Sequence, residues 1–220
     1  MSEELKLALA EGISALGLSL GQEAQKQLLD YMALIQKWNK VYNLTALRDP
    51  QEILTHHLLD SLSAIGPLIQ QTRSLDGAFS FLDVGSGGGL PGVVIAICCP
   101  GVKVTCVDAV SKKAAFVQQV AASLKLGNLK GIHARVETLS GPFDVIGSRA
   151  FASLPDFVNW SSGALADGGV WMAMKGKLPE EEMSALPPMA QVFNVEQLLV
   201  PGLNAERCMV WMKKSTALSA

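Results

Sequence analysis

Phe81-Leu82-Asp83-Val84-Gly85-Ser86-Gly87-Gly88-Gly89-Leu90-Pro91-Gly92 is the stretch whose reading decides the fold. An apolar run of strand length ends in glycines at alternate positions, Gly85, Gly87 and Gly89, and then enters a helical pattern. Glycine takes positive φ at no steric cost and carries no Cβ. Such a turn therefore leaves main chain open for a nucleoside to lie against. A second apolar run, Lys103–Val107, leads to Asp108, roughly 20 residues past the glycines. At that spacing an acid at a strand tip accepts hydrogen bonds from ribose hydroxyls. The turn marks a nucleoside-cofactor site.

The kind of cofactor is decided by the charge beside the turn. The dinucleotide pattern G-x-G-x-x-G is only partly met, because Leu90 stands where the last glycine should be. Asp83 sits two residues before Gly85. A pyrophosphate needs a bare helix N-terminus, and a carboxylate next to it repels that ligand. S-adenosylmethionine has no phosphate and carries an ammonium and a sulfonium, so an acid suits it. Asp83, Gly85, Gly87 and Asp108 are read as its binding residues. A nicotinamide dinucleotide is the alternative.

Outward from the turn the chain falls into two regions. Residues 1–70 are expected to form an N-terminal helical extension, and 71–220 a Rossmann-like domain. Leu5, Leu9, Ile13 and Leu16 recur at helical spacing, as do Leu28, Tyr31, Met32, Ile35 and Trp38 within Gln22–Val41. A third helix opens with Asp49 as N-cap and Pro50 at its first position, and is expected to stop at Gly66-Pro67. From Phe79 strand and helix patterns alternate, which implies a parallel sheet with crossover helices. Strands are expected at Phe79–Val84, Lys103–Val107, Leu129–His133, Phe143–Gly147 and Gly169–Met174. Val192–Leu199 and Cys208–Lys213 are separated by too short a gap for a crossover helix, so they should pair antiparallel. A parallel sheet ending in a hairpin is the usual plan of S-adenosylmethionine methyltransferases.

Composition fits a cytosolic enzyme. The 220 residues are 49% hydrophobic and 17% charged, with no secretion signal at the N-terminus and no apolar run of membrane-spanning length. Cys98, Cys99, Cys106 and Cys208 form no C-x-x-C pair and read as reduced core thiols, not metal ligands. Net charge is −2, so bulk electrostatics do not argue for nucleic acid. Placement does. Lys112, Lys113, Arg135, Arg149, Lys175 and Lys177 each lie just past a strand's carboxyl end, the edge where open α/β sheets bind ligands. As a set they suggest a phosphate-binding rim.

The segment after the fourth strand narrows the chemistry. Gly147-Ser148-Arg149-Ala150-Phe151-Ala152 lacks the Asn/Asp-Pro-Pro-aromatic turn that goes with exocyclic-amine methylation, and lacks the cysteine that pyrimidine carbon-5 methylation requires. A ring nitrogen with a free lone pair, such as guanine N7, needs only in-line placement. Arg149 either holds guanine O6, contacts the cofactor, or bridges strand ends. Phe151 either stacks on the base or packs in the core.

Taken together, Asn43-Leu44-Thr45-Ala46, Arg48-Asp49-Pro50, His57-Leu58-Leu59-Asp60-Ser61-Leu62, the glycine stretch, Lys112-Lys113, Arg135-Val136-Glu137, Ser148-Arg149-Ala150-Phe151-Ala152 and Lys175-Gly176 resemble the bacterial 16S ribosomal RNA guanine-N7 methyltransferases, the glucose-inhibited division protein B family. The resemblance covers about residues 38 to 213. It implies an S-adenosylmethionine-dependent enzyme acting on 16S ribosomal RNA or the small-subunit particle, without membrane or metal. It places Gly85, Leu90, Val136, Glu137 and Arg149 at the cofactor. It turns Arg135, Arg149 and Lys175 to the substrate, with Arg149 and Lys175 as candidate catalytic residues. Lys112 and His57 are candidate RNA contacts, His57 alternatively bracing the helices. A dehydrogenase and a non-catalytic ribosome-assembly factor are the competing readings. His56 is expected to be a hydrogen-bonded helix histidine, Asp60 a capping or ion-pairing residue, and Trp38 and Trp160 core. The role of Asn43 stays open.

Overall fold

A computed structural model describes residues 2–215. Helices α1 (Glu3–Ala15) and α2 (Gln22–Tyr42) open the chain. Asp49 caps α3 (Pro50–Ile53), its side chain accepting from Gln51 N and Glu52 N as its position before proline predicts. The third helix is not regular. Leu54–Leu59 is π-helical before α-helical geometry resumes in α4 (Asp60–Leu62). Single π turns inside helices frequently mark functional sites. Gly66-Pro67 does not end the helical region as expected. It lies in the first turn of α5 (Ile65–Gln71), where the missing proline N–H has no intrahelical partner to lose.

Strands and helices then alternate: β1 (Ser80–Val84), α6 (Gly92–Cys98), β2 (Lys103–Asp108), α7 (Ser111–Ser123), β3 (Leu129–His133), β4 (Phe143–Arg149), α8 (Leu154–Ser161) and β5 (Leu165–Lys175). A short helix α9 (Glu180–Ser184) precedes β6 (Ala190–Gln197) and β7 (Cys208–Lys214). The seven strands lie in the order β3-β2-β1-β4-β5-β7-β6. The first five are parallel, and β7 runs antiparallel to both β5 and β6. This is the expected Rossmann-like methyltransferase sheet with its terminal hairpin.

Alternation along the strands divides the core. Phe81, Val104, Cys106, Val145, Met172 and Trp211 face one side and pack with α6, α7 and the N-terminal helices in one continuous cluster. Leu82, Val84, Ile146, Trp171 and Val210 face the other and pack against α8. Leu9, Leu28 and Ile35 belong to the first cluster, so the N-terminal helices share their core with the sheet. That packing lets them supply side chains to the sheet's carboxyl edge.

Candidate active site

The glycine turn between β1 and α6 has the geometry its composition requires. Gly85, Gly87 and Gly89 have φ of 65°, 57° and 88°, in the left-handed region where other residues are strained. A Cβ on Gly85 would collide with the Phe151 ring, and one on Gly87 would meet nothing nearer than Gly85 O at 4.0 Å. Gly87 is thus open to a ligand.

Three side chains hold the turn. Asp108 Oδ2 accepts from Gly87 N at 2.9 Å, and its Oδ1 accepts from Val110 N at 2.8 Å. Each carboxylate oxygen has a second lone pair to offer. Asp83 Oδ2 accepts from Gly92 N at 2.8 Å. Tyr31, on α2, donates its hydroxyl to Gly88 O at 2.5 Å.

Asp83 corrects one expectation. Its place beside the turn predicts a carboxylate facing the cofactor's cations, but the side chain is fully buried and lines neither cavity at the sheet's carboxyl edge. Strand alternation turns it to the Phe81 face, under α6, where its Oδ1 has no hydrogen-bond partner. Burial there pushes its pKa up to about 7, against the lowering effect of Gly92 N and Arg149. Asp83 supports the turn from behind.

Two adjoining cavities open at the carboxyl edge, of about 610 and 350 Å3, and both are lined by Gly85, Lys113 and Ala150. They form two lobes of one cleft. Ala150, at their junction, has φ 52°, a left-handed conformation that costs a non-glycine residue on the order of 1 kcal/mol and clusters at functional sites. Asp108, Arg135, Val136, Glu137, Phe151 and Trp160 line the smaller lobe. Phe151 and Trp160 meet edge to face with centroids 5.8 Å apart. Trp160 is 41% exposed, contrary to its reading as core. Leu154, Phe157, Val158 and Ser161 form the buried face of α8, and Trp160 lies off that face.

The larger lobe contains Gly87, Leu90, His57, Arg149 and Lys175 among its lining residues. Arg149, the last residue of β4, is held by the N-terminal helices. Its Nη1 donates to Asp60 Oδ2 at 2.7 Å and to His56 O at 2.9 Å, and its Nη2 lies 3.4 Å from His57 Nδ1. Asp60, 3% exposed, takes a second cation, Arg207 Nε, at 2.7 Å. Of Arg149's readings from sequence, bridging structural elements is present, and the side chain also borders the lobe. No sequence pattern singles out Arg207.

His57 Nε2 is 2.8 Å from Thr45 Oγ1. Burial, then the Arg149 charge, lower its pKa to about 4, so the ring is neutral at pH 7. A protonated ring would set a cation against Arg149.

Lys175 is committed within the protein. Its Nζ donates to Glu182 Oε2 at 2.7 Å and to Ala152 O at 2.9 Å. The same Glu182 oxygen accepts from Leu154 N at the start of α8. Lys112 and Lys177 are exposed and line neither lobe. Asn43, also outside the cleft, accepts from Arg48 Nη2 at 2.7 Å. No cluster of three or more metal-ligating side chains exists among the described residues, nor any helix there long and apolar enough to cross a membrane.

The GidB family model, described as rRNA small subunit methyltransferase G, matches residues 24–210. The chain belongs to that family. It is 62% identical over 221 residues to the ribosomal RNA small subunit methyltransferase G of Paracidovorax citrulli, covering 96% of this chain and 91% of that one. To the Acidovorax ebreus protein of the same name it is 64% identical, with 95% of each chain covered. These matches agree with the motif resemblance. Among solved structures, TrmN from Thermus thermophilus superposes with a TM-score of 0.54 at 16% identity, over 74% of this chain and 53% of that one. The [4+2]-cyclase SpnF reaches 0.53 at 12% identity, over 70% and 81%. At such identities the likeness is one of fold, and a cyclase sharing it shows that the reaction must be read from the site.

The residues fit S-adenosylmethionine. The larger lobe meets the glycine turn, and the smaller offers Asp108 and Glu137 as acceptors below an aromatic pair. A dinucleotide fits poorly, because Asp83 occupies the first N–H of α6 and leaves no bare helix end for a pyrophosphate.

Proposed function

We propose that this chain transfers a methyl group from S-adenosylmethionine to N7 of a guanine in 16S ribosomal RNA, in the cytoplasm where small subunits are assembled. The observation that carries this reading is the two-lobed cleft in a chain of the small-subunit ribosomal RNA methyltransferase family. One lobe suits a nucleoside, and the other ends at a fixed arginine. When bound, the cofactor supplies an electrophilic methyl on a sulfonium.

The chain's own residues position the reactants. Gly85 and Gly87 present bare main chain to the cofactor, Asp108 and Glu137 accept from its ribose hydroxyls, and Val136 packs beside the adenine. Arg149 is a rigid donor at the larger lobe. Two of its N–H groups are occupied by Asp60 and His56 O, its Nη2 lies 3.4 Å from His57 Nδ1, and the remaining N–H groups are free to hold guanine O6 or the cofactor. Neither role occupies N7, whose in-plane lone pair attacks without losing a proton. Catalysis then rests on proximity and alignment, with no side chain acting as general base. Arg135, largely exposed at the rim, and Arg207 add positive charge for the RNA backbone. Lys175 shapes the wall through Glu182, and His57 braces Arg149 in its neutral form.

The test is transfer of labelled methyl to 16S RNA, both naked and in small-subunit particles, with subsequent borohydride and aniline treatment. Label with strand cleavage at the modified base supports N7. Label without cleavage would leave a methyltransferase of another specificity. No label on either substrate would favour a non-catalytic assembly factor.

A further inference from the structure

We propose that Tyr31, on the N-terminal helix α2, is a positioning residue that fixes the glycine turn in its ligand-receiving conformation before the cofactor arrives. The proposal rests on the assignment of the cleft to S-adenosylmethionine and extends it to a residue 57 positions away from its partner.

A turn of consecutive glycines has a weakness that stems from its usefulness. Without Cβ atoms, the peptide between Gly88 and Gly89 can rotate between orientations at little steric cost. Only one orientation presents the correct main-chain surface to a ligand. In the structure both ends of that peptide are fastened. Gly88 O accepts from Tyr31 Oη at 2.5 Å, and Gly89 N donates to Ser86 O at 2.7 Å.

The second fastening lies within the turn and moves with it. The first comes from outside and is rigid. Tyr31 is fully buried, its ring packed near Phe116 with centroids 6.4 Å apart and an interplanar angle of 28°. Burial holds its hydroxyl well above the ordinary tyrosine pKa, so it stays a donor throughout the working range. Gly88 borders the larger lobe, so the pinned carbonyl is part of the wall, directed away from the cavity and into the helices. A phenylalanine would fill the same space and free that carbonyl.

Tyr31→Phe tests this. S-adenosylhomocysteine binding by calorimetry should weaken about tenfold, the effect expected when the loss of one buried hydrogen bond leaves only a fraction of molecules with the turn in its receiving conformation. Single-turnover methyl transfer at saturating cofactor should stay within about twofold, because a ligand that has paid the ordering cost selects the same turn.

Thr72→Val is the matched control. Thr72 is buried, its hydroxyl donates to Leu68 O at 2.7 Å, and it lines neither lobe. It should lower the melting temperature comparably and leave binding unchanged.

Hydrogen exchange on the wild-type protein gives a reading that needs no variant. The amides of Gly87 and Gly89 should already be protected without ligand. Wild-type affinity in Tyr31→Phe, equal weakening in Thr72→Val, or a turn protected only after ligand is added would each overturn the proposal. A wild-type protein that fails to bind S-adenosylhomocysteine would overturn the cofactor reading itself, and this proposal with it.

Discussion

Replacing Asp60 with asparagine should separate the folding and catalytic roles of the cleft's central ion cluster. Asp60 is 3% exposed and bonds Arg149 Nη1 and Arg207 Nε, each at 2.7 Å. Removing one member of a buried pair typically costs about 3–5 kcal/mol, because the remaining charge is left uncompensated. Here the arginine side chains are 17% and 24% exposed and retain a route to water. The low end therefore applies, about 3 kcal/mol. Asparagine keeps the shape and can still accept from one arginine.

Arg149 keeps its bond to His56 O but loses its strongest anchor. A displacement near 1 Å at a reacting centre can cost roughly a hundredfold. Single-turnover methyl transfer should fall by about that factor, and the urea midpoint should drop. Asp60→Leu sharpens the test, since it leaves the same two guanidinium charges and removes even the amide oxygen that could accept from one of them. It should lower the midpoint at least as far and recover none of the rate. Asp60→Asn with wild-type rate would refute the view that Arg149 acts through its fixed position. Recovery of rate in Asp60→Leu would refute it equally.

Gly87→Val should abolish S-adenosylhomocysteine binding in calorimetry while circular dichroism still reports a folded chain, because φ of 57° strains a β-branched residue and its side chain would fill the open space that receives the ligand. Detectable binding near wild-type strength would mean that the ligand does not approach this turn. Two opposed titrations should leave wild-type stability nearly flat across mildly acidic pH. His57, lowered from 6.5 to about 4, loses stability as pH falls through that interval, whereas Asp83, raised from 3.8 to about 7, loses it as pH rises. Urea midpoints should therefore rise on acidification from about pH 7 to 5 in His57→Gln and fall in Asp83→Asn; matching signs in the two variants would sink this account. The chemical step itself should show no ascending limb between about pH 6 and 9, since N7 has no proton to lose. Because His57 is already deprotonated across that range, a loss of roughly a hundredfold or more in single-turnover rate in His57→Gln is the result that would identify a general base.

How much of the fold and site is legible in the sequence depends on the range of each signal. The glycine turn, the Asp49-Pro50 helix start and the strand series are local patterns, written within a few residues of where they act. Asp108 is legible because ribose binding imposes a spacing along one strand-helix-strand unit. Asp83 is placed correctly on β1 by its pattern but not in role, since its face depends on which helix covers that side of the sheet. Gly66-Pro67 misleads because the same pair ends one helix and is tolerated in the first turn of the next. Tyr31 lies on an apolar helical face with Leu28, Met32 and Ile35, and nothing in that periodicity tells a core tyrosine from one whose hydroxyl has a distant acceptor. Arg207, in the loop before β7, meets Asp60 across 147 residues. Sequence reasoning reaches such a pair only through the fold.

These long-range contacts also explain why a common sheet can serve one particular reaction. SpnF and TrmN share the fold at low identity, so what suits this chain to its reaction is read from its own side chains, including those added outside the parallel strands. Here the additions converge. The N-terminal helices bring Tyr31 to the glycine turn and bring Thr45, His57 and Asp60 to Arg149, while the terminal hairpin brings Arg207 to the same carboxylate. Asp60 sits just past the π-helical stretch, where the extra residue of that turn changes the direction in which the next side chains point. His57 and Asp60 are three residues apart, a spacing that puts both on one side of a helix, and Arg149 lies against both. Through this shared guanidinium the helical extension becomes a wall of the candidate site.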